Sequence, residues 1–324
     1  MSKLDQIKQP VITELKNFEK HFKESVKSNV HLLDIIMNYI LRTKGKQIRP
    51  LMVFLLAKLH GEINNSTYTA ASLIELLHTA TLIHDDVVDE SYERRGFFSI
   101  KALWKSKVAV LVGDYLLSKG MTLSVENGDY DLLKIVSRAV REMIEGELLQ
   151  IQKSRKLNIT EADYYEIIRK KTATLIAACS ACGAKSIGAS ETKVEEMWTM
   201  GELLGIAFQI KDDLLDYDKK GITGKPAGND IKEKKLTLPL IYALNNSNAS
   251  AGNKILKLIN KENKTPGKIQ DIIEFVKEGK GLEYAEQKMI EYKNKALDML
   301  KDYPSSEILD SVKLLAEFIV ARSK

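Results

Sequence analysis

Long stretches of this chain place apolar residues three and four positions apart with almost nothing to interrupt them. "TYTAASLIELLHTATLIHDDVVDE", "DLLKIVSRAVREMIEGELLQIQ" and "VEEMWTMGELLGIAFQIKDDLLDYD" all read this way. The spacing is that of a helix with one buried face. Gly and Pro, the residues that most readily end a helix, number only 18 and 6 in 324 residues, and no run of alternating strands competes. The pattern predicts an all-α fold, helical from Pro10 to the C-terminus. Breakers fall at "TKGKQIRP", "HGEINNST", "ERRGFFS", "VENGDYD", "KKGITGKPAGND" and near "KENKTPGK". None is a long low-complexity linker, so residues 1–324 read as one single-domain helical bundle. Ala70 to Val88 and Gly201 to Leu215 are apolar nearly all round, which suits the inside of a large bundle.

Several classes of function fall away at this stage. Net charge is +5 and the lysines are scattered among glutamates, with no basic patch interleaved with aromatics. Nucleic acid is therefore not an expected partner. "MSKLDQIKQP" lacks the apolar core of a signal peptide. Apolar runs such as "VAVLVGDYLL" are too short to span a bilayer, so no transmembrane segment is expected. Cys179 and Cys182, in "LIAACSACGA", could be redox-active or half a zinc site. No second Cys/His pair completes a tetrahedral set, and their alanine-rich surroundings favour small packing residues. That usage points to a reducing, cytoplasmic setting.

Against this background, "LIHDDVVDESYERRG" is anomalous. Asp85, Asp86 and Asp89 stand inside an apolar run, and "QIKDDLLDYD" repeats the pattern with Asp212, Asp213 and Asp216. Residues four apart share a helical face, so Asp85 and Asp89 are expected to point the same way, as are Asp212 and Asp216. Neighbouring carboxylates resist joint ionisation, and a hard divalent cation reverses that. Mg²⁺ takes oxygen ligands and commonly bridges one or two carboxylates to phosphate oxygens. If the two helices face each other, six aspartates would form a clamp for two or three Mg²⁺ ions and a highly charged phosphate. Cations accompany the boxes: Lys46 and Arg49 in "KGKQIRP" at the start of an apolar helix-like run, Arg94 and Arg95 after the first box, Lys225 after the second. Arginine offers a planar fork to phosphate oxygens and lysine a point charge. Together they suffice for a second phosphate-bearing substrate that no metal touches.

In order along the chain stand "GKQIRP", "ELLHTATLIHDDVVDE", "RRG", "GDYLLS", "KTATLI", "FQIKDDLLDY", "GKPAGND" and "KLTLPL". As a set these motifs make the chain resemble the trans-isoprenyl diphosphate synthases, or polyprenyl synthetases. The resemblance implies a single polyprenyl synthetase domain of the isoprenoid synthase type with a central cavity, usually in a homodimer. It implies that Asp85 and Asp89 are the main Mg²⁺ ligands of the first motif, with Asp86 supporting. Asp212 becomes the principal ligand of the second, with Asp213 and Asp216 nearby. Arg94 would grip the allylic diphosphate; Lys46, Arg49, His78 and Arg95 would form the isopentenyl diphosphate pocket. Lys171, Thr172, Gln209 and Lys225 would flank the allylic diphosphate and the developing cation. By itself His78 would read as a core histidine, and Thr172 and Gln209 as ordinary buried polar groups.

The chemistry follows from these groups. Positive charge around the departing diphosphate lets the allylic C–O bond ionise, and the isopentenyl double bond attacks the cation. A proton is then lost to the released diphosphate, since no dedicated basic side chain stands out, and the product is one isoprene unit longer. Apolar surroundings exclude the water that would quench the cation. Chain length has its own signal. One helical turn rises about 5.4 Å, close to one extended isoprene unit. In short-product relatives a bulky aromatic four, five or eight positions before the first aspartate plugs the tunnel. Here those positions are Thr81, Ala80 and Leu77, and a floor could come from Met121, Leu123 or Met143. The expectation is a hexaprenyl to octaprenyl product, with geranylgeranyl diphosphate as the competitor. A class I terpene cyclase would need a different second metal motif and no isopentenyl pocket; a regulatory subunit would tend to lack one box.

Overall fold

The computed structural model describes residues 2–43, 45–94, 96–154, 157–217, 228–261 and 265–321. The order is α1 (Lys3–Lys8), α2 (Ile12–Ser25), α3 (His31–Arg42), α4 (Ile48–His60) and α5 (Asn65–Val88), then a minimal hairpin, β1 (Glu93–Arg94) and β2 (Phe97–Phe98). Next come α6 (Ile100–Glu126), α7 (Tyr130–Ser154), α8 (Glu161–Ile168), a π-helical turn at Arg169–Ala173, α9 (Thr174–Ser186) and α10 (Glu191–Leu215). The chain ends with α11 (Asn229–Lys232), α12 (Leu238–Asn245), α13 (Ala249–Asn260), α14 (Pro266–Glu278), α15 (Gly281–Asp298) and α16 (Glu307–Ala321). The fold is all-α, as the periodicity predicts. The four-residue hairpin is the sheet among the described residues, pairing Glu93 with Phe98 and Arg94 with Phe97.

The helices gather into two compact units. The first comprises Met1–Arg138, Ala178–Trp198 and Ser305–Val312; the second comprises Ala139–Ala177, Thr199–Pro304 and Lys313–Lys324.

The first unit is built around α4 and α5. Every residue of α4 from Pro50 to Ala57 is buried, and α5 buries residues round most of its circumference. A helix apolar on all sides is stable only inside a core. Asn64 starts α5 with a capping box: its side chain accepts from Thr67 N, and Thr67 Oγ1 accepts from Asn64 N. Phe18, Phe22, Phe54 and Tyr68 pack as tilted and edge-on rings between α2, α4 and α5. Cys179 and Cys182 are buried free thiols of α9, and burial pushes Cys179 up to about 12 and Cys182 well above its usual range. Such thiols are poor nucleophiles and serve as packing groups. Neighbouring Gly183 lets α9 approach α4 closely, since a Cβ there would lie 2.7 Å from the Val53 carbonyl oxygen.

α6 departs from expectation. At 27 residues it is much longer than the apolar run read from the sequence, though a long apolar helix of this kind is not a clear membrane span. Only a third of its most apolar window is buried within the chain. It also carries a break at Lys105, a non-glycine residue at φ 69°.

In the second unit, Thr160 starts α8 with a capping box to Asp163. Tyr242 of α12 stacks on Tyr284 of α15 at 4.0 Å, and the Tyr284 hydroxyl donates to Glu161. Pro239 lies in the first turn of α12, where its missing N–H costs nothing.

Candidate active site

The first aspartate box closes α5. Asp85 and Asp86 lie in its last turn and Asp89 is the C-cap, its N–H donating to the Asp85 carbonyl at 2.8 Å. Asp85 and Asp89 are exposed and Asp86 is buried. The hairpin that follows turns Arg94 back onto the box. Arg94 Nε and Nη2 both donate to Asp86 Oδ1, at 2.9 and 2.8 Å. One cavity of the first unit is lined by Gln47, His78, Asp86 and Arg94, with Tyr39 and Phe98 contributing from α3 and the hairpin. The Tyr39 hydroxyl donates to the Phe98 carbonyl at 2.7 Å and ties the two together. His78 is buried on α5, two turns before Asp85. Lys46 is exposed and Arg49 half-buried, flanking Gln47 at the start of α4. Arg95 lies outside the described residues.

The second box straddles the end of α10. Asp212 and Asp213 are helical; Asp216 lies one residue past the helix end at Leu215. The expected shared helical face of Asp212 and Asp216 therefore gives way to a turn. Asp216 instead accepts backbone N–H bonds from Asn229 and Asp230, at 2.9 and 3.0 Å, at the start of α11. Asp213 is buried and has both oxygens engaged: Tyr164 OH donates to Oδ2 at 2.7 Å and Gln209 Nε2 to Oδ1 at 2.8 Å. Gln209 Oε1 in turn accepts from Thr172 Oγ1 at 2.8 Å. Lys171 pairs with Glu147 of α7. A cavity of the second unit is lined by Lys171, Thr172, Gln209 and Asp213, together with Asp230 and Lys235. Lys225 lies outside the described residues.

Three of these groups escape a reading of the sequence. Tyr164 looks like an ordinary core aromatic there. Asp230 and Lys235 sit inside "GKPAGND" and at the head of "KLTLPL", motifs whose order is legible but whose individual side chains carry no signal of their own.

Electrostatics in the second cavity are unusual. Burial pushes Asp213 up to about 8, helped by the charge of Asp230, while the Tyr164 and Gln209 hydrogen bonds oppose the shift. Burial and then Asp216 raise Asp230 to about 6, and burial raises Asp216. Carboxyls that burial and mutual repulsion hold back from ionising form an oxygen-rich donor set that a divalent cation completes. Among the described residues no three His, Cys, Asp or Glu side chains are gathered into a protein-only metal cage. Mg²⁺ needs no such cage, because it keeps waters and takes phosphate oxygens alongside one or two carboxylates. The oxygen-only donors of each box fit that ion.

An all-α bundle with two such boxes defines an isoprenoid-synthase-type enzyme. The polyprenyl synthetase family model matches residues 30–276, a span that draws on both units. The octaprenyl diphosphate synthase of Escherichia coli (strain K12) is 34% identical over 304 residues, 93% of each chain. Among solved structures, a polyprenyl synthase from Caulobacter crescentus CB15, complexed with calcium and isoprenyl diphosphate, is 34% identical. Its TM-score is 0.90, over 99% of this chain and 98% of that one. A geranylgeranyl pyrophosphate synthase from Bacteroides thetaiotaomicron is 38% identical, with a TM-score of 0.85 over 99% of this chain and all of that one. The chain belongs to the polyprenyl synthetase family and is a prenyltransferase. Prenyl synthases of this family depend on Mg²⁺.

Proposed function

We propose that the protein is a trans-polyprenyl diphosphate synthase that condenses isopentenyl diphosphate head-to-tail with an allylic diphosphate, giving a hexaprenyl to octaprenyl product. The observation that carries the reaction is the second-unit cavity, where Lys171, Thr172, Gln209, Asp213, Asp230 and Lys235 converge. Anionic and cationic groups around one cavity suit a metal-bound diphosphate, which needs both. In the first unit, Arg94 is held by buried Asp86 in a cavity that also contains His78.

Asp85 and Asp89 of the first box would hold Mg²⁺ in the first unit, and Asp212 of the second box would do so in the second, with Asp216 and Asp230 nearby; two or three ions in all would serve the reaction. When bound, the ions neutralise charge on the departing diphosphate. Arg94, Lys171, Lys225 and Lys235 add fixed positive charge. Thr172 and Gln209 present their dipoles toward the developing allylic cation, with Asp213 fixing the orientation of the Gln209 amide. Lys46, Arg49, His78 and Arg95 receive the isopentenyl diphosphate group. Buried Ile83 and Leu77 help keep water from the cation.

Product length follows from α5. Leu77, Ala80, Ile74 and Leu73 are buried and none of the ruler positions is aromatic. The octaprenyl diphosphate synthase relative supports a product of this length. Geranylgeranyl diphosphate is the second reading, favoured by the likeness to the Bacteroides enzyme. Leu123 and Met143 are half-buried, whereas Met121 is half exposed.

The whole chain acts as one polyprenyl synthetase domain in the cytoplasm, paired as a homodimer. Support for pairing is the stripe of Val110, Leu111, Met121 and Val125 on α6, all at least 40% exposed. An apolar stripe of this kind is commonly covered by a second copy.

The test is a product assay with purified protein, Mg²⁺, farnesyl diphosphate and excess isopentenyl diphosphate, read by mass spectrometry. Chains ending at six to eight units support the reading. A stop at geranylgeranyl keeps the enzyme class and refutes the ruler; a cyclic hydrocarbon or no condensation refutes the class of reaction.

A further inference from the structure

The turn that carries Lys171 and Thr172 is not α-helical. Arg169–Ala173 forms a π-helical turn between α8 and α9, an arrangement with an extra residue and poorer packing of the backbone on itself. Such a turn needs outside support. Two neighbouring helices supply it in the same way. On α7, Glu142 accepts from Arg169 and Gly146 follows one turn later; on α10, Glu202 accepts from Arg169 and Gly205 follows three residues on. A Cβ on Gly146 would lie 2.6 Å from Lys171 N and 2.8 Å from Lys170 Cβ. A Cβ on Gly205 would lie 2.4 Å from Ala173 Cα. Neither glycine has a positive φ, so neither is there for its backbone freedom. Inside a helix glycine is the poorest choice after proline, and its use here matches the space it leaves.

We propose that Gly146 and Gly205, with Glu142 and Glu202, are positioning residues that clamp this π-helical turn and so fix where Lys171 and Thr172 stand. The four touch no substrate; they act through the turn. The role of the turn itself rests on the synthase reading, but the clamp does not.

The test uses the full-length chain with Gly205→Ala, Gly146→Ala and the double variant Glu142→Gln/Glu202→Gln. Gly279→Ala serves as the control. Its Cβ would meet Ala243 Cβ at 2.9 Å, away from the turn and from the cavity lining. In the glycine variants kcat should fall by about 10²-fold, with KM for both diphosphates within about threefold of wild type. The glutamate double variant adds no volume, so it remains informative if the alanine variants do not fold. It should lower kcat on the order of tenfold. Hydrogen exchange over residues 169–173, measured without substrate, should speed up in all three. The control should lose thermal stability and keep kcat. Wild-type exchange at the turn with wild-type kcat in the glutamate variant would overturn the clamp. So would activity losses that merely track the unfolded fraction, as in the control. A wild-type protein that makes no prenyl product would sink the functional reading, and the exchange data would still decide the clamp.

Discussion

The two aspartate boxes share a spelling but not a construction. In each, the second aspartate is the buried one, Asp86 in the first and Asp213 in the second. The partners differ. Asp86 faces the full positive charge of Arg94, whereas Asp213 is held by a tyrosine hydroxyl and an amide. A guanidinium supplies a counter-charge, and neutral donors do not. Asp213 therefore retains its proton far above the usual carboxylate range, to about 8. The fifth positions differ as well: Asp89 is an exposed helix cap, while Asp216 is engaged by two backbone N–H groups of α11. The lesson is that D-D-x-x-D encodes two jobs. On the proposed function Asp85, Asp89 and Asp212 serve the metal, and the buried carboxylate holds a neighbour: Arg94 in one box, Gln209 in the other.

Perturbing the outer and inner positions separately should expose that division. The largest effect is expected at the outer position. Asp85→Asn should reduce condensation by about 10³-fold or more, because it removes a proposed metal ligand that would serve the charged transition state. Steady-state rates at saturating diphosphates measure it. Next comes the orienting chain of the second box. Gln209→Leu, of similar size, should lower kcat by about 10²-fold by freeing Thr172 and leaving Asp213 short of a donor.

A third experiment separates the boxes by pH. Without Mg²⁺, native Asp213 holds its proton up to about pH 8, whereas an unfolded aspartate loses it near its ordinary value of 3.8. Between those values the native state binds more protons, so this group's contribution to stability is full at low pH and is lost as pH rises toward 8. Thermal melts should show that trend weakened in Asp213→Asn. The same substitution at Asp86 removes the carboxylate that Arg94 binds and should cost roughly 1–2 kcal/mol of stability, discounted because Arg94 is partly exposed. The smallest rate effect and the clearest product effect belong to the ruler: Ala80→Phe should leave turnover within about tenfold of wild type while shortening the product by several isoprene units. Mass spectrometry of the chain length decides it.

Much of this is legible in the residues. The apolar period and the scarcity of Gly and Pro carry the all-α fold, and the carboxylates among Leu, Ile and Val announce the site. Asp216 escapes because its position depends on where α10 stops, and no breaker follows until Gly221. The π-helical turn leaves no trace, since "RKKTA" has ordinary helix-forming residues and the extra residue is imposed by what packs against it. Asp230 and Lys235 are hidden for a related reason: a short helix starting at Asn229 brings them to the cavity, and a spacing rule does not reach that far. The length of α6 is hidden as well. Ten apolar residues look too few, yet α6 continues through Gly113 and Gly120, because α5 side chains occupy the space beside both glycines.

The most direct test of the divided boxes is the Mg²⁺ dependence of condensation in Asp85→Asn and Asp86→Asn, titrated side by side with wild type. Asp85→Asn should need about tenfold or more Mg²⁺ for half-maximal rate. Asp86→Asn should keep the wild-type Mg²⁺ midpoint and lose maximal rate, because its loss is felt through Arg94. An Asp86→Asn enzyme whose Mg²⁺ requirement shifts as far as that of Asp85→Asn would contradict the account and make Asp86 a metal ligand in its own right.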